Sequence, residues 1–199
     1  VCAVAGELAA LDAPHGVDVV AVGVGPVEAA QGTARALSAQ TYAAVINAGI
    51  GGGFRARAKI GDAIVVAVEH YVELGLEDGS AFPLPGGVEL ERRVDAAATL
   101  LEIAHTRLGA AVGTGVTSAT VTSTDARAAA LAARFDPHVE SMEGFAVLRA
   151  ARIAGVPALE VRGISNLVGD RARNGWDFRA GAQAAVATTA MLLDVLSAE

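Results

Sequence analysis

Short runs of β-branched and small apolar residues alternate along this chain with alanine-rich stretches, and glycine, proline or a polar pair marks most of the changeovers. This alternation constrains the fold more than any other feature, because strands interleaved with helices give a layered architecture around a largely parallel sheet. Strands are expected at 1–5, 17–24, 43–47, 63–68 and 110–121, and again from Ala158 to Ile164. Helices are expected at 27–39, with Pro26 in the first helical position, and at 89–108, 124–135, 143–154 and 176–197, with Ser123 or Thr124 capping the third. Ile60-Gly61-Asp62 reads as a turn, the glycine run Gly49 to Gly53 as the turn after its strand or a place where backbone approaches a ligand closely, and 76–87 as a long Gly/Pro-rich loop.

The length of 199 residues suits one domain spanning 1–199 with a substantial core. Hydrophobic residues make up 53% of the chain but aromatics only 4%, so alanine-rich helices should pack closely on an aliphatic sheet. A net charge of −7, with Lys59 the only lysine, argues against a nucleic-acid partner. The single Cys2 excludes an intrachain disulfide and suits a reducing, cytoplasmic setting. No apolar run approaches a membrane span and no signal peptide is visible, so no membrane partner is expected.

The last strand, reached after Pro157, ends in Ser165 and Asn166, followed by Gly169 and a charged loop. In open α/β sheets ligands sit at the carboxyl ends of strands, so a polar pair there reads as a ligand site; a capped turn would use the same residues. Glu7 lies just beyond the first expected strand, and Glu143 opens a helix after Glu140-Ser141-Met142. Either glutamate would also suit a helix start for its dipole alone. Three strand-to-helix junctions thus present Glu7, Glu143 and Asn166. Cleavage of a glycosidic bond needs such a set: a base to activate water, an acceptor for sugar hydroxyls and a group to stabilise the departing base. Gly23-Val24-Gly25 lacks the third glycine of a dinucleotide fingerprint, and no Lys-Ser/Thr follows Gly49 to Gly53 as a phosphate loop requires. No cluster has metal-ligand spacing, and His15, His70, His105 and His138 are isolated, so neither metal nor cofactor is expected.

Asn47-Ala48-Gly49-Ile50-Gly51-Gly52, Ile60-Gly61-Asp62, Glu140-Ser141-Met142-Glu143-Gly144 and Arg162-Gly163-Ile164-Ser165-Asn166 follow one another in an order that resembles the purine nucleoside phosphorylase/nucleosidase superfamily. The resemblance covers almost the whole chain. It implies a three-layer α/β/α sandwich with a mixed, partly barrel-like central sheet, a small nucleoside as substrate with water, and a dimer-based homo-oligomer. In related nucleosidases the region matching 82–87 helps close the neighbour's pocket. Hexameric-type phosphorylases carry Gly-Asp-Pro-x-Arg after the first strand, whereas this chain has Gly6-Glu7 there. A carboxylate repels phosphate but can activate water, which favours the hydrolytic branch. Adenine-cleaving relatives place Asp where Asn166 stands. An Asn amide can donate to a 6-oxo group, which points to hypoxanthine. The run Asn166 to Arg171 with Trp176 beyond it is similar to the futalosine-hydrolysing branch of menaquinone biosynthesis. By that resemblance Glu7 activates water, Glu143 binds ribose hydroxyls, Met142 packs beneath the sugar, Val121 and Thr122 flank the base, and Trp176 receives the 5′ substituent. Arg171, with Arg173 beside it, is the candidate cation for that substituent's carboxylate. Ile50, Gly51, Glu140, Ser141 and Ser165 complete the expected binding residues.

Overall fold

The computed structural model describes residues 1–78, 80, 82, 84–173 and 175–198. Its elements are α1 (Pro26–Ala39), β1 (Val45–Gly53), β2 (Ala63–Tyr71), β3 (Arg93–Asp95), α2 (Ala98–Leu108), β4 (Val112–Thr117), α3 (Asp125–Phe135), β5 (Val139–Ser141), α4 (Gly144–Ile153), β6 (Ala158–Leu167) and α5 (Phe178–Ser197), with single 3-10 turns at Ala5–Leu8 and Pro85–Gly87. The strands run in the order β3-β2-β4-β5-β1-β6, and β6 also pairs with β2. Five strands therefore close into a mixed barrel, with β3 added at the outside of β2. The β1–β6, β2–β4 and β4–β5 pairs are parallel, whereas β1–β5, β2–β3 and β2–β6 are antiparallel.

Helices cover the sheet from two sides. Alanine and valine of α1 and α4 pack with Val45 and Val94 on one side; α2 and α5 bury Leu100, Ala104 and Leu192 against Val65, Leu159 and Val161 on the other. Each fully buried valine or leucine among these contributes about 1.5–3 kcal/mol, an alanine less. Close approach depends on glycine. A Cβ on Gly163 of β6 would lie 1.9 Å from the Gly181 carbonyl oxygen, so α5 can rest on β6 only where neither residue has a side chain. By length and composition α5 could cross a membrane, contrary to the reading of the sequence. Here its Gly181, Ala185, Thr188, Thr189, Leu192 and Leu193 are buried in the fold.

Several expected elements change. Residues 1–5 and 17–24 are not regular strands: one parallel bridge joins Cys2 to Ala21. Backbone bonds from Cys2 to Val20 and from Val22 to Cys2 fix that bridge, and the Val1 backbone nitrogen donates to Ile46 O at 2.6 Å. The chain then coils at once into the turn carrying Glu7. The glycines 49–53 do not turn; they continue β1, because β1 must pass close to β6, Val139 and Glu7. The expected helix 89–108 splits into β3 and α2: Arg93, Val94 and Asp95 alternate exposed, buried and exposed, a strand pattern that pairs with β2. The long strand 110–121 stops at Thr117, where Ser118 bonds to Glu73 and Thr120 instead.

Candidate active site

The carboxyl ends of β1, β5 and β6 meet the turn at Ala5–Leu8 and the start of α5 around a cavity of about 640 Å³. Glu7, Ile50, Gly51, Val121, Glu140, Ser141, Met142, Glu143, Ser165, Asn166 and Trp176 all line it. Thr122 and Arg171 are the two expected residues that do not.

Among the described residues Glu7 is anchored by backbone N–H groups. Its Oε2 accepts from Ala3 N at 3.0 Å and Val4 N at 3.1 Å, and its Oε1 accepts from Ile50 N at 3.0 Å. A carboxylate has about four acceptor positions, so one is left on Oε1 for a water molecule. Glu143, at the N-cap of α4, is buried; Gly25 N donates to its Oε1 at 3.0 Å, and Arg162 Nη2 lies 3.4 Å from its Oε2.

Arg162 is fully buried on β6, the sequence reading gave it no role, and it is the hub of the site. Its Nε donates to Glu160 Oε1 at 2.6 Å and its Nη1 to Ile50 O at 3.2 Å. Burial opposes its charge, but Glu160, Glu143 and Glu7 more than offset this and raise its pKa further. A Cβ on Gly49 would lie 2.7 Å from both Arg162 Nη1 and Glu7 Oε1, so this glycine is what lets the guanidinium stand beside the Glu7 carboxylate. Removing a buried cation with such partners typically costs about 3–5 kcal/mol.

Asn166 reaches the cavity through a bulge. Gly51 pairs with Ile164 and Gly52 with Asn166, leaving Ser165 as an extra residue in β6. Neighbouring strand residues ordinarily face opposite sides; the bulge lets both Ser165 and Asn166 line the cavity. The Ser165 hydroxyl donates to Asn166 Oδ1 at 2.9 Å, and Asn166 Nδ2 has only a long contact of 3.4 Å to Leu167 O. The amide therefore keeps its donor side available.

Thr122 serves from behind: its N–H donates to Glu140 Oε2 at 3.0 Å and its hydroxyl to Glu140 Oε1. Burial raises the Glu140 pKa, with those bonds and Arg127 acting against it. The pair pins the segment carrying Val121 to β5. On the outer side the Trp176 ring lies 4.6 Å from that of Phe178, tilted by 56°, and the Arg171 guanidinium lies 4.4 Å over the indole. Arg173 is held by Asp125 and Asp170, so its charge is already matched. Arg179, in the first turn of α5, lines the cavity and was not anticipated; its place three residues beyond Trp176 was the available signal.

Three comparisons bear on this geometry. A family model described as the phosphorylase superfamily matches residues 4–197. The chain is 42% identical over 171 residues to a futalosine hydrolase of Streptomyces coelicolor, covering 82% of this chain and 72% of the relative. It is 34% identical to a futalosine hydrolase of Thermus thermophilus, covering 77% and 71%. Among solved structures, a 5′-methylthioadenosine/S-adenosylhomocysteine nucleosidase from Colwellia psychrerythraea in complex with adenine is similar with a TM-score of 0.80 at 22% identity, covering 97% of this chain and 92% of that one. A futalosine hydrolase of Helicobacter pylori gives a TM-score of 0.73 at 19% identity, covering 89% and 77%; at these identities the two structures attest to the fold.

Proposed function

The chain belongs to the phosphorylase superfamily, and from that premise we propose that it hydrolyses the N-glycosidic bond of futalosine, releasing hypoxanthine and dehypoxanthine futalosine in menaquinone biosynthesis. The observation that carries this is the convergence on one cavity of Glu7 with one acceptor position left, of Glu143, and of the Asn166 amide with its donor free. The relatives named futalosine hydrolases support the choice of nucleoside.

Glu7 orients a water toward C1′ and takes its proton as the bond to the base lengthens. Glu143 accepts from the ribose hydroxyls and stabilises the oxocarbenium-like charge, an interaction that strengthens toward the transition state. Met142 packs beneath the sugar. Asn166 Nδ2 donates to the 6-oxo group, and its oxygen accepts from N7–H once the departing hypoxanthine anion has taken a proton from water. Phosphate would meet Glu7, and the nearest buried cation, Arg162, is already engaged by carboxylates. The 5′ substituent of futalosine, a carboxyphenyl ketone, packs against the aromatic pair Trp176 and Phe178 at the mouth of the cavity. Its carboxylate goes to Arg179, which lines the cavity, rather than to Arg171, which lies over the indole. Incubation with futalosine, inosine and methylthioadenosine, with and without phosphate, tests the reading: hypoxanthine release from futalosine without phosphate is expected, and a strict phosphate requirement would refute it.

The assembly is a dimer-based homo-oligomer. Val27 is 76% and Ile153 71% exposed, beside an apolar groove between α1 and α4 that includes Tyr71 and Phe145. Phe82 and Leu84 of the 82–87 segment are further candidates for that contact; Pro83 lies outside the described residues. Sedimentation at micromolar concentration, showing monomer alone, would overturn it. The buried thiol of Cys2 accords with a cytoplasmic setting.

A further inference from the structure

Below the catalytic carboxylates the polar network continues into groups that the reaction does not use. Glu69 on β2 and Glu160 on β6 are both fully buried. The Thr117 hydroxyl donates to Glu69 Oε2 at 2.7 Å and itself accepts from Phe145 N, in the first turn of α4, at 2.7 Å. Glu160 Oε1 accepts from Arg162 Nε. Glu69 Oε1 and Glu160 Oε2 remain buried without a donor among the described residues.

The two carboxyl groups approach each other against Gly144. A Cβ there would lie 2.4 Å from Glu160 Oε2 and 2.7 Å from Glu69 Cδ. Gly115, opposite Glu69 in register, leaves room on the other side: a Cβ there would lie 1.8 Å from Glu69 Oε1. Two bare anions in this space would each lose hydration and repel. One proton resolves both vacant oxygens, turning one into a donor and the other into its acceptor. Glu160 has a guanidinium partner, whereas among the described residues Glu69 is bonded by a hydroxyl. Burial first, then the charge of Glu160 and the hydrogen bond between the two carboxyls, raise Glu69 well above the ordinary carboxylate range.

We propose that Glu69 is a neutral carboxylic acid donating to Glu160, and that this pair is a positioning element for the reaction, holding Arg162 back from Glu143. It rests on the reading of Glu143 as the ribose-binding carboxylate. The network runs from Phe145 N through Thr117, Glu69, Glu160 and Arg162 to Glu143, so it leaves α4 at its first turn and returns at its N-cap. Arg162 Nη2 stands 3.4 Å from Glu143 and makes no hydrogen bond among the described residues, while Nε is committed to Glu160. Without that commitment the guanidinium would close on Glu143 to a charge-assisted bond of about 2.7–2.9 Å and occupy the oxygen the sugar needs.

Raising the pH through the elevated pKa of Glu69 ionises it. The neutral acid is the form the fold stabilises, so its contribution is complete below the ordinary carboxylate range and is lost as the pH rises through the elevated pKa. The groups facing it are Glu160 and Arg162 from β6, neutral Thr117 and Gly115 from β4, Val94 from β3, Asn47 from β1 in register with Glu160, and, through Arg162, Glu143 at the start of α4.

Infrared spectra of the wild-type protein test the proton directly. A carbonyl band of a protonated, buried carboxylic acid should persist at neutral pH, shift on 13C-glutamate labelling, and fade at alkaline pH together with kcat. In Glu69→Gln the band should vanish and the alkaline limb flatten, since an amide donates to Glu160 without titrating; Glu69→Leu should lose kcat that Glu69→Gln restores. Glu160→Gln should lower kcat about 10²-fold, as a misplaced catalytic group does. Absence of the band in the wild type, or an unchanged alkaline limb in Glu69→Gln, would overturn the proposal. A band without any futalosine turnover would leave the proton standing and overturn the substrate reading instead.

Discussion

The floor of the cavity and its lip are built by opposite means. On the floor, Glu7, Glu143 and Arg162 are tied by backbone donors, glycine contacts and buried ion pairs from five separate segments of the chain. At the lip, Trp176 is half-buried, Phe178 and Arg179 are exposed, and all three come from one loop and the helix that follows it. Bond cleavage at C1′ is common to every nucleoside this fold could split, and it tolerates little displacement. Recognition of the 5′ substituent distinguishes one nucleoside from another and can reside where changes cost little stability. Substitutions on the floor should therefore change rate by orders of magnitude, and those at the lip should shift affinity by small factors.

The largest effect belongs to Glu7. Glu7→Gln keeps the size of the side chain and the acceptor for Ala3 N and Val4 N, sets its NH2 against Ile50 N, and cannot take a proton. Loss of a general base costs about 10²–10⁴-fold, and kcat should carry it with KM little changed. A kcat within about threefold of the wild type would make Glu7 a backbone anchor only, and the floor would no longer differ from the lip.

The residues of this contrast were unequally legible in the sequence. Glu7, Glu143 and Asn166 sit where strand runs give way to polar residues, a signal that order along the chain carries. Arg162, Glu160 and Glu69 sit inside apolar runs, and what joins them is the inward face of two paired strands far apart in sequence. Pattern reading reports burial at such positions but not which buried charges meet. The glycines 49–53 read as a turn because glycine permits turns; their actual use, close approach to Arg162, Val139 and Ile164, depends on neighbours from β5 and β6. Residues 89–97 were misread for a related reason: the strand Arg93–Asp95 is only three residues long and exists through its pairing with β2.

Asn166 lies between floor and lip, and its effect should be intermediate. In Asn166→Asp the Ser165 hydroxyl keeps its acceptor, but the donor facing the 6-oxo group becomes an acceptor. An opposed buried pair costs roughly 1–3 kcal/mol, so futalosine kcat/KM should fall at least about tenfold. The 6-amino counterpart, which shares the 5′ group, should lose less or gain. An unchanged ratio between the two substrates would mean that Asn166 does not read the base.

The smallest effect is expected at Arg179. It is exposed, so its attraction for a substrate carboxylate is screened by water and worth about 0–1 kcal/mol, which corresponds to roughly fivefold in KM at most. Arg179→Ala should raise KM for futalosine by a few-fold and leave kcat unchanged, and added salt should shrink the difference between wild type and variant. Inosine, which has a hydroxyl in place of the carboxyphenyl ketone, is the control: its KM should not move. Arg171→Ala should act differently, because its guanidinium lies over the indole. Loss of that support loosens Trp176 for any 5′ group with an aromatic ring, charged or not, so its effect should not depend on salt. Equal KM changes for futalosine and inosine in Arg179→Ala would assign this arginine to the first turn of α5 rather than to the ligand. Substrate choice would then rest on Trp176 and Phe178, with apolar contact and not charge as its basis.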